Sequence, residues 1–295
     1  MFLLVRHGGV SLGLMEFGGT LLGILFAVLA FVFLGSRNIP DRSLWIGLMI
    51  ACGYCAFHAA WQLTGGFGYM AYRLPQYADL TILHGDRACA RFITPAALGA
   101  FFAMSLPLLV TLAPSKAWRW AGGSLAVLGI LLSGSKGAML AAIITGAILV
   151  IRLQPVTFPV WRYATAALVI FCVCAGFRGN LDGALASRLD YWTAAARTIA
   201  DHPWKGVGVG GLGAHYRHYL PTGEYSASAH NDFLELSTSY GLPAGVLFAG
   251  ILGVVLWRSY SEVRGQRSEV NLGYWCALLA FAVQGLVESL LYVPA

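Results

Sequence analysis

Eight long apolar runs divide the chain, near residues 14–35, 43–63, 92–113, 118–134, 137–152, 158–176, 233–257 and 273–292. A helix needs about 20 mostly apolar residues to cross the hydrocarbon core of a bilayer, and these runs reach or approach that length. Each is continuously apolar rather than alternating, which predicts spanning helices and not the strands of a membrane β-barrel. The fourth and fifth runs are short, and Ser133-Gly-Ser-Lys-Gly137 forms the turn between them. Backbone polar groups in lipid have to be satisfied within the helix, so the polar stretches between runs are predicted to be surface loops.

Two of these loops are long, 64–91 and 177–232. The even number of runs between them puts both on one side of the membrane, together with the turn at Lys136. In the second loop, Leu185, Leu189, Trp192, Ala196 and Ile199 recur at spacings of 4, 3, 4 and 3. That is one apolar stripe on a helix of roughly four turns, expected to lie on the membrane surface or against the bundle. No internal repeat or domain boundary is visible. The expected architecture is all-α: a polytopic helical membrane protein of about eight transmembrane helices, one domain over 1–295. Loop 177–232 is its extracytoplasmic, catalytic-type insertion.

Composition agrees. Apolar residues make up 58% of the 295 and charged residues 11%, and mean hydropathy is +0.70. An ordinary soluble domain has about 45–50% and about 25%, so too little polar surface exists here to coat a water-soluble globule. Collagen-like, mucin-like and disordered classes are excluded on the same ground. The formal net charge is +6, which in such a chain reads as loop charge and not as a nucleic-acid patch. The short loops at 36–42, 114–117, 153–157 and 258–272, with their flanks, hold nine of the 19 Lys and Arg residues. Basic density in short loops marks the cytoplasmic side, so the long loops are expected outside the cytoplasmic membrane. The N-terminus shows no basic region ahead of its apolar residues and is not expected to be a secretory signal. Of the six cysteines all but Cys89 fall inside apolar runs; they read as small buried thiols, without a disulfide framework.

The chemistry-bearing residues gather on the long-loop side. Arg178, Arg188, Arg197, Lys205 and Arg217 lie in the second loop and its flanks, Arg87 and Arg91 in the first, and Lys136 in the turn. A basic, aromatic-rich pocket at a membrane surface suits a lipid-linked anion such as a diphosphate, whose oxygens arginine pairs in bidentate fashion. His230 stands in Ala229-His-Asn-Asp-Phe-Leu-Glu235, just before an apolar run. Asn231 or Asp232 can cap the helix that follows, and Asp232 with Glu235 has capping-box spacing. Capping leaves His230 unexplained, and an imidazole suits a general base taking a proton from a sugar hydroxyl.

Gly208-Val-Gly-Gly-Leu-Gly213 matches a dinucleotide-binding pattern but has no strand before it; it is expected to make a tight turn or a close backbone approach to a ligand. His215 and His218 lack a further ligand at metal spacing. No Asp-x-Asp occurs, which argues against a metal-dependent nucleotide-sugar transferase. Glu16, His58 and Glu288 fall within apolar runs and are functional candidates on that account, with Glu288 expected near the outer end of the last helix, facing the same pocket.

From about residue 85 to 295 the sequence resembles the bacterial O-antigen ligase and polysaccharide polymerase superfamily. The resemblance is carried by Ser187-Arg-Leu-Asp-Tyr-Trp192, Asp201-His-Pro-Trp-Lys-Gly-Val-Gly208, Ala229-His-Asn-Asp-Phe-Leu234 and Tyr240-Gly-Leu242, in that order. Leu132-Ser-Gly-Ser-Lys-Gly-Ala138, Arg87-Ala-Cys-Ala-Arg-Phe-Ile-Thr-Pro95 and Val283-Gln-Gly-Leu-Val-Glu-Ser289 resemble further family motifs. Lys136 stands where the family pattern has Arg, Ala90 where it has Gly, Thr94 where it has Asn, Gln284 where it has His and Glu288 where it has Asp. The chain also reads as shortened at both ends relative to the family pattern.

The resemblance implies an inverting, metal-independent glycan transferase with no cofactor. Its donor would be a glycan on undecaprenyl diphosphate, and its acceptor a lipid A core, another glycan repeat or a protein hydroxyl. Membrane lipids surround it and nucleic acid has no part. By the same resemblance His230 is the expected base and Asn231 its orienting neighbour. Arg188, Arg87 and Lys136 are expected to bind the diphosphate. A transporter, or a non-catalytic subunit of polysaccharide export, is the alternative. It predicts a polar path across the bilayer instead of one outward basic pocket.

Overall fold

The computed structural model describes residues 41–69, 87–90, 92, 94–153, 181–220, 226, 228–266 and 268–291. Every regular element among them is helical. Helix α1 spans Asp41–Trp61 and runs through a π-helical turn at Gln62–Gly66 before continuing to Tyr69. Helix α2 is Pro95–Thr111, α3 is Lys116–Ser133 and α4 is Lys136–Leu153. Helices α5 (Leu181–Asp201) and α6 (Gly211–Tyr219) follow, then α7 (Asp232–Tyr240), α8 (Leu242–Gln266) and α9 (Glu269–Gly285). Three stretches are long and apolar enough to cross a membrane, Asp41–Tyr69, Lys136–Leu153 and Leu242–Gly265, and Pro95–Thr111 is a shorter apolar helix. The runs predicted at 14–35 and 158–176 lie outside the described residues, as do Glu16, Arg91, Cys172, Cys174 and Arg178.

The bundle core is built from α1 to α4 with α9. Leu98, Phe102 and Leu109 of α2 pack on Ala126 and Ile130 of α3, Ala138 and Ala141 of α4, Trp45 and Cys52 of α1, and Ala280 of α9. The partners of the large side chains are small, as helices that have no hydrophobic drive to associate in lipid require. Phe102 lies so close to Gly129 that a Cβ there would fall 2.3 Å from its ring. Local signals set the helix starts: Thr94 caps α2 by accepting the Ala97 N–H at 3.2 Å, and Pro95 fills the first turn, where no N–H is needed. At the short-loop end Arg119 of α3 pairs with Glu269 of α9 at 2.8 Å. Cys52, Cys55, Cys89 and Cys276 are buried thiols.

One expectation is corrected. The run 233–257 is not one helix. It breaks at Gly241, and the nine-residue α7 folds back on α8, with the rings of Phe233 and Phe248 5.2 Å apart. The turn after α5 imposes the break. Val207 N–H donates to Thr238 O at 2.8 Å, Gly208 N–H to Ser239 O at 3.0 Å, and Leu242 N–H to Pro203 O at 2.8 Å. The close approach of Asp201-His-Pro-Trp-Lys-Gly-Val-Gly208 is therefore to the chain's own backbone. Gly241 sits at φ +91°, where a Cβ would fall 2.4 Å from Trp204 O. Gly241→Ala is expected to cost at least about 2 kcal/mol, from the left-handed backbone and from the displaced turn. The thermal midpoint of the detergent-solubilised protein measures it, and an unchanged midpoint would refute the interlock.

For α5 two placements of the stripe are expected, the membrane surface or the bundle. The helix forms where the stripe predicted it, but Leu189 is 51% exposed and Ala196 is exposed, while Tyr191, Ala194, Ala195 and Thr198 are buried. The inward face is the one that brings Tyr191 to Tyr216, ring centroids 6.1 Å apart, and places alanines where helices meet closely. Nearby, His215 does not pair with His218: its Nδ1 lies 3.0 Å from Gly211 O, and its ring meets that of His202 at 5.5 Å. His58 stacks between Tyr54 and Trp61.

Candidate functional site

The site is built where the α3–α4 turn, the first half of α5, the start of α7 and the segment after α9 converge. That last segment, 286–291, is folded against α7 by side chains on both sides. Asn231 Nδ2 donates to Leu286 O at 2.9 Å, and Ser289 Oγ accepts the Asn231 N–H at 3.1 Å. Asp232 Oδ1 accepts the Leu291 N–H at 2.9 Å, and the hydroxyls of Ser228 and Ser289 meet at 2.9 Å.

These contacts place Glu288 between two of the expected site residues. Arg188 donates to Glu288 Oε1 at 2.6 Å and, through its other terminal nitrogen, to the Val287 carbonyl. His230 Nδ1 lies 3.4 Å from Glu288 Oε2. The Glu288 side chain is 15% exposed, that of Arg188 27% and that of His230 40%, so the carboxylate is at the base and the imidazole at the mouth. Burial opposes charge on Glu288, but the His230 hydrogen bond and the Arg188 guanidinium outweigh it and hold the carboxyl below its ordinary value. The Tyr191 ring lies 5.4 Å from that of His230.

His230 itself has φ +49°, a left-handed conformation that costs a non-glycine residue about 1 kcal/mol or more. Ser228 Oγ accepts its N–H at 3.2 Å, and the neighbouring Asn231 N–H is held by Ser289, so the surroundings fix that backbone. Asn231, not Asp232, caps α7: its Oδ1 accepts the N–H groups of Phe233 at 3.0 Å and Leu234 at 3.1 Å. The expected Asp232–Glu235 capping box is replaced by two buried acids with separate duties. Glu235 Oε2 accepts the Ala229 N–H at 2.7 Å and the Ser228 hydroxyl at 3.2 Å. Asp232 turns inward to Leu291. Burial raises its pKa to about 7, against the opposing pull of the Leu291 and Leu290 N–H groups.

Lys136 and Arg87 form the other flank. Lys136 opens α4, and its neighbour Gly137 backs onto Gln284 and Val287, whose carbonyl takes Arg188. Arg87 runs over Gly134 at the end of α3, its side-chain carbons 3.0 Å from where a Cβ would stand. Ala88 N–H donates to Leu132 O at 3.1 Å, which fixes that strand of chain to the turn. Gln284 is buried, with Nε2 3.4 Å from Ser135 Oγ. Arg188, Glu288, His230 and Asn231 are thus in direct or adjacent contact. Lys136 and Arg87 reach them through the α3–α4 turn and Val287. Lys205 and Arg217 lie with the turn after α5 and with α6, and Arg197 donates to Tyr219 O at 3.1 Å, so these three belong to the α5–α6 side.

Residues 121–249 match the protein family described as O-antigen ligase. That stretch, less than half of the chain, is what is similar to the O-antigen ligase family. The comparison with curated proteins finds no match. The O-antigen ligase match begins inside α3 and ends inside α8, so it contains Lys136, Arg188, His230 and Asn231. Arg87, Glu288 and Ser289 lie beyond its limits and are brought to it by the fold. The apolar helices and the match together suggest a membrane protein, and the matched family is of the general ligase or glycosyltransferase kind that handles lipid-linked glycans and acceptors.

Proposed function

We propose that the protein transfers a glycan from undecaprenyl diphosphate to an acceptor hydroxyl at the outer face of the cytoplasmic membrane, within one membrane domain in which 177–232 is the catalytic-type loop. The observation that carries this reading is the carboxylate of Glu288 joining Arg188 to His230 at the mouth of the site. A carboxylate facing Nδ1 favours the tautomer with the proton on that nitrogen and leaves the Nε2 lone pair for a proton in flight. In the proposed step the acceptor oxygen attacks the anomeric carbon as its proton passes to His230. The bond from that carbon to the diphosphate oxygen breaks with inversion, and lipid diphosphate leaves with the electron pair.

The leaving group is already an anion of low basicity, so the site has to stabilise charge more than to supply an acid. Arg188, Arg87 and Lys136 take that role in the reading, with no metal and no cofactor assigned. Arg188 keeps N–H groups beyond those used on Glu288 and Val287. Lys136 offers a point charge in place of a guanidinium fork. Asn231 fixes the backbone beside His230.

The test uses protein reconstituted in lipid, a glycan on undecaprenyl diphosphate, EDTA, and lipid A core, glycan repeat or Ser/Thr peptide as acceptor. Release of lipid diphosphate that depends on an acceptor is expected, and the acceptor that works distinguishes ligase, polymerase and protein glycosyltransferase. No release with any of the three, from protein of native thermal midpoint, would overturn the reading.

A further inference from the structure

We infer that Gln62 is a positioning residue for Arg87, and that it is required because Ala90 occupies a glycine conformation. Gln62 is buried in the π-helical turn at the end of α1, where Thr64 and Gly65 leave helical geometry. Such turns displace one side chain from the regular helical face, and they concentrate at functional sites. Here the displaced side chain meets the 88–90 segment. Gln62 Oε1 accepts the Cys89 N–H at 3.1 Å and the Ala90 N–H at 2.7 Å. Its Nε2 donates to the Ala90 carbonyl at 3.1 Å and faces Cys89 Sγ at 3.6 Å. One amide thus satisfies both polar groups of Ala90 and closes over the thiol.

Ala90 has φ +50°, a conformation that costs an alanine about 1 kcal/mol or more and that persists only where neighbours impose it. Glycine would adopt it freely. The segment held in this way is short. Phe92 N–H closes it on Cys89 O at 2.9 Å, and Ala88 N–H ties it to Leu132 O at 3.1 Å. Arg87 leaves it directly onto Gly134, beside Lys136. Gln62 does not touch the site, yet it fixes the backbone from which one of the proposed diphosphate ligands projects. The inference rests on that reading of Arg87.

The experiment compares Gln62→Met, Ala90→Gly, Arg87→Ala and the doubles Gln62→Met/Ala90→Gly and Gln62→Met/Arg87→Ala in the full chain. Two readouts are taken: the rate at which maleimide labels Cys89, located by peptide mapping, and binding of undecaprenyl diphosphate in micelles. Methionine keeps the volume of Gln62 and removes its hydrogen bonds. Gln62→Met is expected to label Cys89 at least about tenfold faster, and adding Ala90→Gly to restore much of the protection. It is expected to weaken binding about tenfold, and to weaken it no further when Arg87 is already alanine, because the two act through one contact. Unchanged labelling of Cys89, or losses that add, would overturn the inference. Equal binding by wild type and Arg87→Ala would instead overturn the diphosphate reading of Arg87, and with it the positioning role, while the labelling result still decides whether the clamp exists. Should Gln62→Met fail to fold, recovery of folded protein by Ala90→Gly is the expected result, and no recovery would refute the pairing of the two residues.

Discussion

His230→Ala is expected to lower glycan transfer by about 10²–10⁴-fold, the range over which a positioned general base contributes, while donor affinity and thermal midpoint stay near wild type. The selectivity of that loss follows from where the imidazole sits. It is the most exposed of the three linked side chains, and its removal leaves the Arg188–Glu288 pair intact. The buried anchors of the segment, Asn231 and Asp232, keep their bonds to Leu286 and Leu291. Alanine does have to accept the φ of +49°, but the Ser228 and Ser289 hydroxyls that hold this backbone are untouched. The measurement is a set of initial rates against donor and acceptor concentration, together with binding of undecaprenyl diphosphate and a melting curve. Transfer at the wild-type rate would remove His230 from the base role. Loss of folded protein in step with loss of rate would reduce the residue to a structural one.

The apolar helices were legible because a bilayer imposes composition rather than pattern. Runs 43–63, 92–113, 118–134 and 137–152 agree with α1 to α4 to within a few residues. Composition fails where direction or a single dihedral decides. Apolar residues continue through Tyr240-Gly-Leu-Pro243, so the break at Gly241 is invisible to hydropathy, although Gly and Pro two positions apart are a signal for it. The stripe on α5 leaves two placements open, the membrane surface or the bundle, because apolarity alone does not give a direction. In a protein that borders lipid an apolar stripe can face outward, and the close approach to α6 and α7 instead selects alanine and tyrosine.

The site was legible in part for the same kind of reason. His230, Asn231 and Arg188 stand in compact local motifs, and Glu288 was marked by its place in an apolar run. That Glu288 would join His230, 58 residues away, to Arg188 is a tertiary fact with no local signature. Asp232 was given to capping because its spacing to Glu235 fits a box; only burial separates that duty from the one it has. Gln62 itself is unmarked: the Gly65-Gly66 pair after it signals a break in the helix but not where the amide would reach.

Replacing Glu288 is expected to have the second large effect, and pH separates its two parts. Glu288→Ala removes the partner of a guanidinium that is 27% exposed. The loss should be about 2 kcal/mol near neutral pH, in line with hydrogen bonds to charged groups and below the ~3–5 kcal/mol of a fully buried pair. Transfer should fall at least about tenfold, because the imidazole loses the carboxylate that selects its tautomer and Arg188 loses its anchor. The sign of the pH effect follows from the lowered pKa of Glu288. A carboxyl that binds its proton more weakly in the native state stabilises the fold above its ordinary pKa, near 4.3, and that stabilisation disappears as pH falls through the native value. The gap in thermal midpoint between wild type and Glu288→Gln should therefore be widest near neutrality and narrow steadily below about pH 4. Asp232 works in the opposite direction: with a pKa raised to about 7, it binds its proton more tightly in the native state, so its unfavourable charge is relieved as pH falls from neutrality. An acid titration of wild type alone mixes the two, and the difference from Glu288→Gln isolates the first. A gap that widened on acidification would mean that Glu288 is protonated in the native protein, and the carboxylate linking Arg188 to His230 would have to be given up.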